Sequence, residues 1–531
     1  MKPFDESGAF RPQAEGELRR VAVRSAAVTV FSQALVFALQ LVATVVLARL
    51  LTPADFGIVA MVTTFSLLLM SFGLNGFTEA VLQREEINHS LVSNLFWINL
   101  GFGIALTIGF ACSGLLLARF YGDPHVAHVA AGMSLTILIT STSVLHLALL
   151  KRAMRFPAVA TTDILGRAAS VIVSISLGWA GWGYWALVVG NLSQPLVSAI
   201  GAWTLCRWVP ARPKRVPGTG EMVRFAGNVY ARFSLNYFAR NTDNLLVGWH
   251  FGAYPLGFYK KAYDLFVLPA NQIVAPISAV VISSLSRFNR NRSQYIGYLR
   301  GGLAMLAFVG MGLGAILTLN GKDVIRLLLG PHWDMAGRIF TYFGPGVGMM
   351  LIYNTHGLVH LSTGRPDRWF RWGLIEFGVT LFLFLVALPW GPIGIAVAWT
   401  CSFWILTIPA FWYAGKPMNI SAGTGLVVVW RYLVASLLAG VVCAAITRAS
   451  TSLVASPGLR GVVIRLAVSC SLFTVLYLIA VVLLHGGFGP FRQVASLLHE
   501  AVPRAKFLGR FGATPEEKAA EAEFLALTES G

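Results

Sequence analysis

Seven charged residues sit where a long apolar stretch leads one to expect none. Arg224, Arg232, Arg240 and Asp243 precede a short turn, Phe251-Gly-Ala-Tyr-Pro-Leu-Gly257, and Lys260, Lys261 and Asp264 follow it. The hairpin they belong to runs from about Glu221 to Ser286. An ionisable group at membrane depth costs several kcal/mol unless it is paired or faces water, so such groups mark a cavity or pathway. Arg232, Arg240 and Asp243 are spaced near whole helical turns and share one face, with Asn236 and Asn244 close to it. Lys260 or Lys261 and Asp264 lie one turn apart on the next stretch. Arg grips phosphate through a bidentate fork and Lys adds a point charge, so this wall suits an anionic substrate. The bland alternative is that these charges neutralise one another, or that the lysines snorkel to a membrane surface.

Secondary candidates lie elsewhere. Asp163 and Arg167 are four apart and suit either an internal pair or a cavity wall. Gln33 and Gln40 share a face of the first stretch. Glu376 stands alone in an apolar stretch, as proton relays do. His356 and His360 have the i, i+4 spacing of a zinc pair, but no Glu follows His356 and no third ligand is apparent, so helix packing is expected. Cys112, Cys206, Cys401, Cys443 and Cys470 are scattered with no Cys-x-x-Cys. There is no P-loop and no nucleophile elbow. No catalytic residue, metal or cofactor is expected.

The elements that must position these groups are membrane helices. The chain has 531 residues, 56% hydrophobic and 12% charged, with a mean hydropathy of +0.68. A soluble domain carries about 25% charged residues. Apolar stretches long enough to cross roughly 30 Å of hydrocarbon fall near 25–48, 56–77, 91–117, 126–150, 158–180, 184–206, 226–250, 258–283, 299–319, 338–361, 370–389, 392–414, 427–448 and 462–484. The first is too long for a signal peptide and is read as retained. The net charge of +18 would suggest nucleic acid on a soluble protein. Here the bases gather in alternate gaps: Lys151, Arg152 and Arg155; Arg207, Arg212, Lys214 and Arg215; Arg287, Arg290, Arg292 and Arg300; Arg365, Arg368 and Arg371. That asymmetry places these gaps and both termini in the cytoplasm, and no nucleic-acid partner is expected. One opposite gap, Asn320 to Arg338, departs from it, and a short interfacial helix is expected at Val324 to Leu329.

The expected fold is all-α and integral to the membrane. It divides into a cytoplasmic tail (1–24), a six-helix N-lobe (25–206), a basic linker (207–225), a six-helix C-lobe (226–414), two extra helices (427–484) and a cytoplasmic C-terminal tail (485–531). Phe491, Val494, Leu498 and Val502 in that tail suit a surface helix. A weak repeat supports two lobes. Leu47-Ala-Arg-Leu-Leu-Thr-Pro-Ala-Asp-Phe-Gly57 and Val247 to Gly257 each join two stretches and end in an apolar-Gly pair, Phe56-Gly57 and Leu256-Gly257. Gly181-Trp-Gly-Tyr-Trp-Ala186 is echoed by Gly391-Pro-Ile-Gly-Ile-Ala396. Parallel repeats are a transporter plan with the substrate between lobes. The 53 glycines, such as Gly310, Gly312, Gly314, Gly344, Gly346 and Gly348, would let helices approach closely.

Several of these segments carry a resemblance: Leu47 to Gly57, Phe96-Trp97 with Asn99-Leu100, Ala118 to Pro124, Leu150 to Phe156, Gly181 to Val188, and Asn241 to Tyr263 with Leu268-Pro269. Over roughly its first 290 residues the chain resembles the polysaccharide transporter branch of the multidrug/oligosaccharidyl-lipid/polysaccharide (MOP) flippase superfamily. It is similar to the O-antigen and colanic-acid-type lipid-linked oligosaccharide flippases of lipopolysaccharide biosynthesis. The resemblance implies a fourteen-helix, MATE-like, two-lobed protein of the bacterial inner membrane. Such a protein moves undecaprenyl-pyrophosphate-linked oligosaccharide repeat units from the cytoplasmic to the periplasmic leaflet by alternating access. Membrane lipids and a polysaccharide polymerase or export machinery would be its partners. Two other readings compete: a drug or cation antiporter, which would favour acidic cavity residues, and a membrane polymerase or ligase, which would need a sizeable outer loop.

Overall fold

A computed structural model of the chain describes residues 3–5, 7–10, 18–268, 292–418, 420–421, 423–450 and 458–489. Fourteen helices run through these residues, with no extended strand among them. They are α1 (Leu18–Leu50), α2 (Pro53–Gln83), α3 (His89–Tyr121), α4 (His125–Arg152), α5 (Phe156–Trp179), α6 (Tyr184–Cys206) and α7 (Thr219–Phe251). The series continues with α8 (253–268), α9 (Arg292–Leu329), α10 (Asp334–Tyr353, resuming as His356–Ser362), α11 (Pro366–Ala387), α12 (Gly391–Gly415), α13 (Gly423–Ala449) and α14 (Gly458–His485). Ten helical segments are long and apolar enough to cross a membrane, one of them containing both α11 and α12. Helix α7, which carries Arg224, Arg232, Arg240 and Asp243, is not among the ten.

The helices form two lobes of six, α1–α6 and α7–α12, with α13 and α14 packed against α9. Because successive helices alternate direction, the Arg-rich gaps gather at one end of the bundle, here the basic end, and the charge-poor turns at the other, the neutral end. Both lobes break their fourth helix. Helix α4 is interrupted at Thr142-Ser143 and α10 at Asn354-Thr355, and a buried histidine follows each break, His146 and His356. In α2 the helix loosens to a π turn over Phe72–Phe77. There Gly76 lies close to the Ala226 carbonyl of α7 and Gly73 close to Asn99 of α3. Wide turns of this kind occur where a helix is re-aimed at a functional contact.

Local sequence explains the ends. Thr52 and Asp55 form a reciprocal capping box around Pro53, which starts α2 directly after α1. Gly252 turns the α7–α8 hairpin with a φ of 81°, a region open to glycine. Between α9 and α10 the expected glycine packing is present. A Cβ on Gly314 would stand 2.8 Å from the Gly344 carbonyl oxygen, and one on Gly310 would stand 3.1 Å from the Gly348 Cα. The short interfacial helix expected at Val324 to Leu329 is instead the last part of α9, which runs unbroken until Gly330 (φ 101°) and Pro331 stop it. Pro331–Trp333 then form one short turn that delivers Trp333 into the core. The C-terminal surface helix expected around Phe491 to Val502, and the part of the central hairpin beyond residue 268, lie outside the described residues.

Candidate functional site

The hairpin places α7 and α8 between the two lobes. Helix α7 packs on α2 and α3 near both ends, Ala226 against Gly76 and Gly248 against Met61 and Tyr121, and it also meets α11 and α12, the latter through Trp399 and Asp243. Asp243 is fully buried. Its carboxylate accepts from the Tyr259 hydroxyl at 2.7 Å, from Trp399 Nε1 at 2.9 Å and from the Asn244 backbone N–H at 2.7 Å. One carboxylate therefore ties α7 to α8 and α12. Asn244 is buried beside it with neither end of its amide hydrogen-bonded.

The two lysines part ways. Lys260 Nζ pairs with Asp264 at 2.7 Å and lies 5.8 Å from the Tyr263 ring centre. Lys261 makes no ion pair among the described residues; its ammonium lies 4.1 Å from the ring centre of Phe56, on α2 of the other lobe. Arg240 is exposed and also makes no ion pair among the described residues, yet it is within electrostatic reach of Glu376 on α11, Tyr353 on α10 and Tyr263 on α8. Counting from Gly252 at 1.5 Å per residue, Arg240 stands about 18 Å and Lys261 about 14 Å from the turn. Both depths are near the middle of a bilayer. The hairpin thus neutralises or engages Asp243, Lys260 and Asp264 and leaves two cations at similar depth.

Of the remaining expected residues, the side chains of Arg232 and Asn236 lie outside the described set. Glu376 is half-buried against Tyr353, whose hydroxyl also accepts from Trp372 Nε1 at 2.9 Å. Asp163 and Arg167 do not pair with each other. Arg167 reaches Gln40 of α1 at 3.3 Å instead, and Gln33 is exposed on the same helix. His356 donates from Nδ1 to the Tyr353 carbonyl at 2.6 Å, and its ring centre is 6.0 Å from that of His360, which packs on Tyr413. Residue spacing did not single out Tyr259, Tyr263 and Trp399 as partners of the hairpin charges, and it gave Phe56 only as half of the Phe56-Gly57 echo. Tyr259 and Tyr263 do stand a helical turn apart beside the two lysines.

Opposite the Gly252 turn's helices, the lobes interlock at the neutral end. Gly57 lies against the Ala253 backbone and Gly257 against the Pro53 backbone. Trp333 is fully buried between Phe56 of one lobe and Phe258 of the other, with ring centres 5.5 and 5.7 Å away. Its Nε1 donates to the Ala48 carbonyl at 2.7 Å, and Arg49 donates to the Leu327 carbonyl at 2.9 Å.

Residues 46–337 match the family described as polysaccharide biosynthesis proteins. The chain belongs to this family. Among relatives, it is 22% identical over 428 residues to the succinoglycan biosynthesis transport protein ExoT of Rhizobium meliloti, covering 80% of this chain and 86% of that protein. It is 24% identical over 383 residues to the teichuronic acid biosynthesis protein TuaB of Bacillus subtilis, covering 66% and 77%. It is 20% identical over 415 residues to the lipopolysaccharide biosynthesis protein WzxC of Escherichia coli, covering 76% and 82%. The fold is that of the MOP superfamily. A solved structure of the lipid II flippase MurJ in an inward closed conformation superposes with a TM-score of 0.69, at 14% identity, over 87% of this chain and 98% of that one. An inward-facing MATE transporter of the MOP superfamily superposes with a TM-score of 0.58, at 12% identity, over 72% and 94%.

Proposed function

We propose that the protein is a flippase that carries a polyprenyl-diphosphate-linked oligosaccharide between the leaflets of the bacterial inner membrane. The observation that carries this reading is the imbalance at mid-membrane. Among the described residues Arg240 and Lys261 come from adjacent helices without ion-pair partners, while Asp243 and Asp264 of the hairpin are already engaged. A diphosphate esterified at both ends carries two negative charges and suits such a pair, since charge-assisted hydrogen bonds are strongest in a site shielded from water. Families of transport and biosynthesis proteins for succinoglycan, teichuronic acid and lipopolysaccharide provide the context. An organic cation would need a free carboxylate, and Asp243 already accepts three hydrogen bonds.

The basic end faces the cytoplasm in this reading, because Lys and Arg are retained on that side. The interlocked neutral end is then the periplasmic gate, closed in this structure, and transport alternates between this state and one in which it parts. The polymerase or export machinery that receives the oligosaccharide would meet the protein on that face.

The test is translocation in vesicles with a fluorescent polyprenyl-diphosphate oligosaccharide, scored by leaflet-specific quenching. Wild type moves the lipid. Arg240→Ala and Lys261→Ala, folded and inserted, move it at least about tenfold more slowly, the cost of one or two charge-assisted bonds. No movement by wild type under any imposed ion gradient overturns the function. Movement by wild type and both variants alike overturns the site.

A further inference from the structure

We propose that the linker between the lobes, with α3, forms a separate site for the phosphate headgroup of an anionic phospholipid in the leaflet at the basic end. The linker, residues 207–218, has no helix or strand, yet it is fixed to the N-lobe along its length. Trp208 is buried among Phe4, His89, Phe96 and His146, and its carbonyl meets His146 Nε2 at 3.1 Å. The Ala211 N–H donates to Ser93 Oγ at 3.0 Å, and its carbonyl accepts from Trp97 Nε1 at 2.8 Å. Asn94, itself buried, holds Lys214 from both sides: its Nδ2 donates to the Lys214 carbonyl at 2.5 Å and its Oδ1 accepts from the Lys214 N–H at 3.0 Å.

Every one of these anchors uses a backbone group or an uncharged side chain. The cations are left over. Lys214 and Arg215 are exposed, and among the described residues neither side chain makes a hydrogen bond or ion pair. They line a cavity of about 810 Å³ with Pro213, Val216 and Pro217 of the linker and with Trp97 and Ile98 of α3. Glu221, which follows in the first turn of α7, already pairs with Arg84 at 3.5 Å. A pocket with apolar walls, a basic rim and a rigid backbone is matched by a phosphate group attached to an acyl chain.

The position supports the acyl half of that ligand. Helix α6 ends at Cys206, so the linker lies at the membrane boundary. Above the pocket, Trp97, Ile104, Ile108 and Leu115 of α3 recur at helical spacing and are exposed by 43%, 44%, 60% and 69%. They form one lipid-facing stripe that rises from the cavity. A headgroup held by Lys214 and Arg215 would therefore lay its chain along α3. This site is distinct from the α7–α8 hairpin, and it stands whether or not the transported lipid is a diphosphate.

The experiment is native mass spectrometry of the full-length protein in detergent, titrated with phosphatidylglycerol or with phosphatidylcholine of the same chains. Wild type is expected to retain one phosphatidylglycerol in preference to phosphatidylcholine. Lys214→Ala/Arg215→Ala should lose that retention by roughly thirtyfold, taking about fivefold per basic residue near an anionic surface. Its thermal stability should not change, because the anchors remain. Arg365→Ala/Arg371→Ala, which removes the same charge from another gap at the same end, should retain the lipid as wild type does. Asn94→Ala should weaken retention although every cation is present. Equal retention by the linker variant, equal loss in the control variant, or equal binding of phosphatidylcholine overturns the site. Displacement of phosphatidylglycerol by an equimolar polyprenyl diphosphate overturns its assignment to phospholipid.

Discussion

Gly57 of α2 and Gly257 of α8 occupy matching places in the two lobes, and each touches the other lobe's main chain: a Cβ on Gly57 would overlap the Ala253 carbonyl oxygen, and a Cβ on Gly257 would overlap that of Pro53. The contact is reciprocal, as at a two-fold interface between like surfaces. No side chain intervenes, so the two lobes meet at backbone distance on the neutral end.

Any larger residue at either position must hold the lobes apart. Gly57→Leu and Gly257→Leu are expected to open the neutral end, and each alanine variant to lose roughly 1–3 kcal/mol of stability through overpacking. Spin labels at the exposed positions Leu50 and Tyr254 read this directly. Wild type should give a short, narrow distance distribution, and either leucine variant a longer, broader one. An unchanged distribution would show that the glycines do not set the approach.

Asp243 is a structural knot more than a ligand. Asp243→Ala leaves Tyr259 and Trp399 buried donors without an acceptor, at an expected cost of about 3 kcal/mol, because orphaned donors keep their full desolvation penalty. Tyr259→Phe and Trp399→Phe should cost about 1–2 kcal/mol each. Circular dichroism melts in detergent rank the four proteins. An Asp243→Ala variant that melts with wild type removes the knot from the account.

Adjacent lysines should behave differently. Lys260 is held by Asp264, a half-exposed i, i+4 pair, so Lys260→Met with Asp264→Leu should transport near the wild-type rate. Lys261 lies over the Phe56 ring across the lobe boundary. Lys261→Met should lower transport about tenfold with an unchanged melting temperature, since the lost charge is one that an anion would use. The same translocation assay and melts decide it; the reverse pattern would move the anion site to Lys260.

Much of the architecture was legible because a membrane imposes it. Helix length, the alternation of Arg-rich gaps and the Phe56-Gly57/Leu256-Gly257 echo are local or periodic features, and lipid leaves few other folds for them. The contacts that give the echo its meaning were not legible, because they join residues far apart in sequence. Trp333 is the plainest instance: a single tryptophan in a short outer gap gave no sign that it would be buried against Ala48 and Phe56. Val324 to Leu329 misled for a different reason. Lys322 and Arg326 suggested a separate surface helix, but nothing before Gly330 breaks the backbone, so α9 continues through them. Arg167 likewise chose Gln40 of another helix over Asp163 on its own.

One ionic fork joins α14 to α9. Arg465 of α14 donates to Asp323 of α9 through Nε at 3.1 Å and Nη2 at 2.9 Å, with both side chains about three-quarters buried. Arg465→Lys keeps the charge and loses the two-pronged geometry, and is expected to cost about 1 kcal/mol; Arg465→Ala, which strands the carboxylate, should cost about 2–3 kcal/mol. Limited proteolysis between α13 and α14 alongside the melts tests whether the loss is local. If Arg465→Lys matches wild type in both, the planar fork contributes nothing beyond its charge.

Trp333 closes the neutral end by filling space and by one hydrogen bond, and the two roles can be separated. Trp333→Phe keeps a ring between Phe56 and Phe258 but loses the 2.7 Å bond to the Ala48 carbonyl. It is expected to cost about 1 kcal/mol and to leave the end shut. Trp333→Ala empties a fully buried site, at an expected cost of about 3–5 kcal/mol, and lets the two lobes part. A cysteine at Phe258, in a chain whose five native cysteines are replaced, reports on the opening. It should resist a charged thiol reagent with Trp333 or Phe present and react once Ala is there. Because the indole bridges α1, α2 and α8, a reactive cysteine with wild-type Trp333 would mean that the end breathes without losing this contact. The gate would then rest on the glycine pair alone.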